Sequence, residues 1–162
     1  MREPTDILRE EHRVIEKGLD ALEKVCDSLE AGSPFQPRVL EQILDFVKGF
    51  ADSAHHMKEE DLLFPALERA GLPVEGGPVS VMLAEHRQAR QLVADIGRAV
   101  VALSEGQGGD NSTLIGPARA YVGHLRSHIG KEDECLFPIA DDRLNAAARE
   151  ELAADFDVAQ EQ

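Results

Sequence analysis

His55-His-Met-Lys-Glu-Glu-Asp-Leu-Leu-Phe-Pro65 recurs as His128-Ile-Gly-Lys-Glu-Asp-Glu-Cys-Leu-Phe-Pro138, 73 residues later. Glu11-His12-Arg13 recurs in the same way as Glu85-His86-Arg87, at an offset of 74. The unit is therefore a segment bearing one histidine followed by a segment bearing HxxxE and Leu-Phe-Pro, used twice. Two copies are too few for a solenoid, so the repeat points to one domain with pseudo-two-fold symmetry. Within each copy, His and Glu four residues apart return to nearly the same face of a helix.

The flanking sequence has helical periodicity throughout. One stripe runs Leu8, His12, Ile15, Leu19, Leu22, Cys26, Leu29, and a second Leu40, Leu44, Val47, Ala51, His55, Glu59, Leu62. A third runs Val79, Met82, His86, Ala89, Val93, Ile96, Val100, Leu103, and a fourth Leu114, Ala118, Tyr121, Leu125, His128, Glu132, Cys135. Gly/Pro-rich breaks at 32–37, 71–78 and 106–113 separate them. Thr5 or Asp6 is expected to cap the first helix, and Pro37 and Pro78 suit first turns. Asn111, Ser112 or Thr113 can cap the fourth, with Gly116-Pro117 delaying its regular start. The predicted fold is all-α, an antiparallel up-down-up-down four-helix bundle over about 5–142. A short C-terminal helix within 143–162 packs on it or frays, and 1–162 forms one domain.

Each stripe is interrupted by a histidine where its own periodicity demands a core residue. In an up-down-up-down bundle His12, His55, His86 and His128 fall at one level, roughly 10–14 Å from one end at about 1.5 Å per residue. Burying these rings with Glu59 and Glu132 carries a desolvation cost that cations would remove. An imidazole/carboxylate set suits iron, with manganese or zinc as competitors, and no thiolate cluster of a structural zinc site is present.

This H…HxxxE…H…HxxxE pattern, with LFP after each HxxxE, resembles the hemerythrin-like (HHE cation-binding) family over roughly residues 5–142. The resemblance implies two iron ions bridged by two carboxylates and an oxo or hydroxo group. Its ligands fall on His12, His55, Glu59, His86, His128 and Glu132. His12 and His55 would hold one iron and His86 and His128 the other, with Glu59 and Glu132 bridging. It also implies a small diatomic or peroxide ligand (dioxygen, nitric oxide or peroxide), a redox partner, and peroxide- or nitric-oxide-consuming activity. The alternative is an iron-responsive sensor or metal store without turnover. Oxygen-carrying members place a second histidine one turn beyond the helix-three ligand. Arg90 stands there and cannot ligate; His124 is the candidate additional ligand that would replace it, and otherwise one iron keeps a position for solvent or substrate.

Other residues have plainer expected roles. The repeat aligns His56 with Ile129, which makes His56 a flank. Glu10, Glu11, Glu60, Asp61, Asp133 and Glu134 read as a solvated acidic face that Lys58 and Lys131 offset. Phe64-Pro65 and Phe137-Pro138 are expected to end their helices and cap the bundle. Tyr121 reads as packing. Cys26 and Cys135 are too far apart to pair and form no disulfide framework.

Composition narrows the partners. Thirty-one acidic against seventeen basic residues give a net charge of -14, which disfavours nucleic acid. No apolar run approaches the roughly 20 residues of a membrane span, and no apolar leader opens the sequence. These features point to a cytoplasmic domain.

Overall fold

The computed structural model describes residues 2–107 and 109–162, and among these it contains helices and no strand. Gly108, in the third predicted loop, lies outside the described residues. Five helical stretches follow one another. The first is α1 (Pro4–Glu30). The second covers 37–69: α2 (Pro37–Phe46), π-helical turns at Val47–His56 and Glu59–Leu63, and α3 (Phe64–Arg69). The third is α4 (Pro78–Ser104). The fourth covers 112–143: α5 (Ser112–Lys131), a π-helical turn at Glu132–Leu136, and α6 (Phe137–Arg143). The last is α7 (Ala146–Gln160).

Several ends differ from the sequence reading. Helix α1 starts at Pro4 behind Glu3, ahead of Thr5 and Asp6. A proline in the first turn costs no hydrogen bond there, whereas Thr5 spends its hydroxyl on Asp141, 2.5 Å away. Pro37 and Pro78 do open their helices. Helix α5 starts at Ser112 and runs through Pro117 without delay. Pro65 and Pro138 do not end their helices either. Each follows a widened turn, in which Phe64 N–H reaches the Glu59 carbonyl and Phe137 N–H that of Glu132, and the chain then resumes α-geometry. The same widening moves the inward face on by one residue. Leu63 and Leu136 are buried, while Leu62 is half-buried and Cys135 exposed.

Helix α5 packs against α4 and α1, α1 also meets the Val47–His56 segment, and α2 meets α4. Two apolar cores result. One gathers Ile15, Leu19, Leu40, Ile96, Leu114 and Leu125, and the other Leu8, Leu63, Leu67, Met82, Phe137 and Phe156. Burying each of these large side chains contributes about 1.5–3 kcal/mol. Between the cores lies a polar layer holding the sequence-singled histidines and glutamates, all 0–1% exposed. The C-terminal segment is packed: Asn145 caps α7 by accepting the Ala148 N–H at 2.9 Å, and Leu152, Ala153 and Phe156 are buried. Helix α7 rests on α1 and the Glu59–Leu63 turn, so it covers the core nearer the LFP ends.

Candidate metal centre

The polar layer is built by two halves in the same way. Helix α1 supplies His12 and α4 supplies His86, each eight residues after the opening proline. The second and fourth stretches supply His55 with Glu59 and His128 with Glu132. Each carboxylate touches an imidazole from both halves. Glu59 lies 3.3 Å from His55 Nε2 and 3.1 Å from His86 Nε2. Glu132 lies 3.4 Å from His12 Nε2 and 2.8 Å from His128 Nε2.

Two groups of four buried side chains each bring one ligand atom per residue within 4.8 Å of the others: His12, His55, Glu59 and Glu132, and His56, Glu59, His86 and His128. The structure thus unites all six residues singled out from the sequence. It also adds His56, which is 3% exposed and stacks on His86 with ring centroids 4.0 Å apart. The π-helical segment Val47–His56 explains the difference. Wide turns rotate the chain less per residue than the α-helical spacing assumes, so adjacent His55 and His56 both reach the layer, one towards each group. His124 joins neither group. Its Nε2 donates to the Glu85 carbonyl at 2.8 Å, pinning α5 to α4, because its turn of α5 faces the α4 backbone.

Beyond the inward nitrogens stands a ring of carboxylates. His12 Nδ1 donates to Asp133 at 2.7 Å, His55 Nδ1 to Glu11 at 3.0 Å, and His128 Nδ1 to Glu85 at 3.3 Å. His86 Nδ1 lies 3.8 Å from Glu60, and His56 Nδ1 3.4 Å from Asp52. Cations hold these acids in turn: Arg13 pairs with Asp133, Lys58 with Glu11, Lys131 with Glu85, and Arg90 with both Glu60 and Asp52. Such outer carboxylates fix the tautomer and aim Nε2 inward, as in metal-ligating histidines. Glu11, Glu60 and Asp133 therefore leave the solvated face expected of them, while Glu10, Asp61 and Glu134 stay exposed. Lys58, expected at the surface, is 4% exposed. The signal was in the repeat, since Glu11/Glu85, Lys58/Lys131 and Glu60/Asp133 recur at the ligand offsets. A purely solvated face imposes no such recurrence.

Electrostatics favour a cation. Both Glu59 oxygens, both Glu132 oxygens, and Nε2 of His12 and His55 are buried without a hydrogen-bond partner. His86 Nε2 and His128 Nε2 face each other at 3.2 Å. Burial and the Glu132 charge push Glu59 well above the usual carboxylate range. Burial acts the same way on Glu132, yet the His128 charge and the close approach of the His12 and His128 rings hold it well below. Burial lowers His86 to about 2, helped by His56 and His128, and lowers His56 to about 4 against Asp52. Neutral imidazoles and paired carboxylates are the forms that coordinate metal. The residues fit bound metal on donor type, convergence and unmet polar atoms alike.

The sequence comparisons agree. The model of the hemerythrin HHE cation binding domain matches residues 3–140. An uncharacterised protein of Mycobacterium tuberculosis is 26% identical over 154 residues, covering 95% of this chain and 59% of its own length. Proteins named iron–sulfur cluster repair protein YtfE are also similar. That of Edwardsiella ictaluri is 33% identical over 117 residues (70% of this chain, 52% of that one), and that of Salmonella paratyphi B 29% over 116 residues, with the same coverage. The chain thus spans 52–59% of the length of these relatives. No helix among the described residues is long and apolar enough to cross a membrane. With the motif, the buried donor set and the domain match in agreement, the chain belongs to the hemerythrin HHE cation-binding family.

Proposed function

We propose that this is a non-haem di-iron protein that binds or reacts with a small ligand of the dioxygen, nitric oxide or peroxide class. The observation that carries this reading is the convergence of unpartnered buried nitrogens and oxygens in two groups that share Glu59. In this reading His12 and His55 hold one iron, and His86, His128 and His56 hold the other. Glu59 and Glu132 span both, consistent with each touching an imidazole from either half. The helices form the up-down-up-down bundle that brings two starts and two HxxxE segments to one layer. Iron is favoured by the mixed imidazole/carboxylate donors and by relatives named for iron–sulfur cluster repair.

When bound, the iron pair supplies redox equivalents and coordination positions for the small ligand. The chain does the rest. Donation from Nδ1 of His12, His55 and His128 to Asp133, Glu11 and Glu85 keeps the rings from turning. Phe137 stacks on His12 at 5.3 Å and Phe64 on His86 at 6.0 Å, closing the layer against water from the α7 side. Both cysteines are free, which suits a cytoplasmic setting.

One observation favours the second reading, an iron-responsive sensor or store. Lys58 Nζ lies 2.5 Å from Glu11 and 5.9 Å from the Phe156 ring, so the His55–Glu11 pair connects directly to α7. Metal analysis by mass spectrometry on protein from iron-supplied cells tests the shared core. About two irons per chain are expected, reduced in His86→Ala and His56→Ala and retained in His124→Ala. An iron-free parent protein overturns both readings. Full iron with no binding or reaction of dioxygen, nitric oxide or peroxide leaves the sensor.

A further inference from the structure

A cavity of about 240 Å3 opens on the flank of the molecule between the second helical stretch and α4. Its floor is buried and mostly apolar: Val47, Ala89, Val93 and the ring of Tyr121, with His56 as the wall towards the metal centre. Lys48, Asp52 and Arg90 stand around its mouth.

Two features specify an occupant. Tyr121 is 1% exposed, yet its hydroxyl has no hydrogen-bond partner among the described residues. A buried tyrosine ordinarily pairs its hydroxyl, so a bound molecule or water in the cavity is the available partner. The second feature is charge. Arg90 is already paired with Asp52 and, outside the lining, with Glu60, and Lys48 is exposed to water at the rim, so neither cation is a buried, unpaired partner for an anion. A charged ligand on the floor would leave water without a buried counter-charge, whereas a neutral one meets no such cost. Size sets the rest, because an apolar cavity of about 150 Å3 already accepts benzene.

We propose that this cavity is a binding site for a small neutral organic molecule of ring size that carries one hydroxyl, such as a cyclic alcohol or simple phenol, with Tyr121 as its hydrogen-bond partner. The ligand would lie against the outer edge of His56, which makes the pocket a substrate or effector site beside the centre. The site rests on the cavity and on Tyr121, so it stands or falls apart from the iron assignment.

The test titrates cyclohexanol, and cyclohexanecarboxylate as its charged counterpart, into the full-length metal-loaded protein by calorimetry. Tyr121 emission is followed in parallel, and it reports this pocket alone because the chain has one tyrosine and no tryptophan. Cyclohexanol is expected to bind saturably and alter the emission, and the carboxylate to bind at least tenfold more weakly. Tyr121→Phe should weaken cyclohexanol about five- to tenfold with the fold intact by circular dichroism. Val93→Phe should fill the floor and abolish binding. No saturable binding to the parent, equal binding of the carboxylate, or unchanged affinity in Tyr121→Phe each overturns the proposal. Metal content measured on the same samples separates this outcome from failure of the di-iron reading.

Discussion

At the scale of the residue, most of the centre's order lies one bond beyond the candidate ligands. Glu85 fixes His128 and binds Lys131, so Glu85→Ala frees the ring to turn and removes the acceptor for Nδ1. Metal affinity should fall about 10–100-fold, read by competition against a chelator, with little change in fold. Glu11 differs because its partner Lys58 is buried. Glu11→Ala leaves that ammonium unpaired and should cost about 3–5 kcal/mol in urea denaturation as well. His56 makes one contribution to the pH response of the metal-free protein. Burial holds its folded pKa at about 4, below the ordinary histidine value of 6.5, so between these values the unfolded chain binds the proton and the folded one does not. Stability from this group is present above pH 6.5 and is lost as pH falls towards 4. Metal-free His56→Phe should therefore lose less stability than the parent over that interval, as followed by thermal melts at stepped pH.

At the scale of the element, the ligand positions on α1 and α4 are legible because His12 and His86 sit on α-helices of ordinary period, whereas His55, Glu59 and Glu132 are marked by the repeat itself. Periodicity failed where the helix widens. Leu62 and Cys135 were read as inward, and the structure gives those places to Leu63 and Leu136 one residue later. The repeat makes His56 a flank through its match to Ile129, and the structure buries both residues, with His56 alone offering a ligand atom. The loops were more transparent. Gly71 follows the end of α3 with φ of +94° and lets Leu72 N–H bond the Leu67 carbonyl at 3.0 Å. Gly71→Ala places a Cβ in left-handed backbone and should destabilise by about 1 kcal/mol, visible as a lower urea midpoint at unchanged m-value. Helix α7 is held chiefly by Phe156, which is fully buried in the core over Lys58. Phe156→Ala should cost about 3–5 kcal/mol and increase hydrogen exchange in α7 and the Glu59–Leu63 turn.

At the scale of the whole molecule, two apolar cores sandwich a layer whose charges are stable only together. Removing metal from the loaded protein leaves Glu59 and Glu132 facing each other in an unsolvated interior. Chelation should lower the melting temperature, and restoring iron should reverse it. A Tm unchanged by chelation in protein that has demonstrably lost its iron would contradict the layer's role in holding the two cores together.

That the chain is helical, where its long helices lie, that its halves repeat, and which six His and Glu side chains interrupt the apolar stripes are all legible in the amino-acid order. All of these follow from local chemistry: α-periodicity, turn residues, and the cost of burying polar groups. Tertiary structure decided what depends on distance between elements. Only the meeting of helices puts Glu11 on His55 and Glu85 on His128, turns an acidic face into an outer carboxylate ring, and sends His124 to a backbone carbonyl. The meeting of elements also stacks His56 on His86, a contact that no pattern read along one helix records.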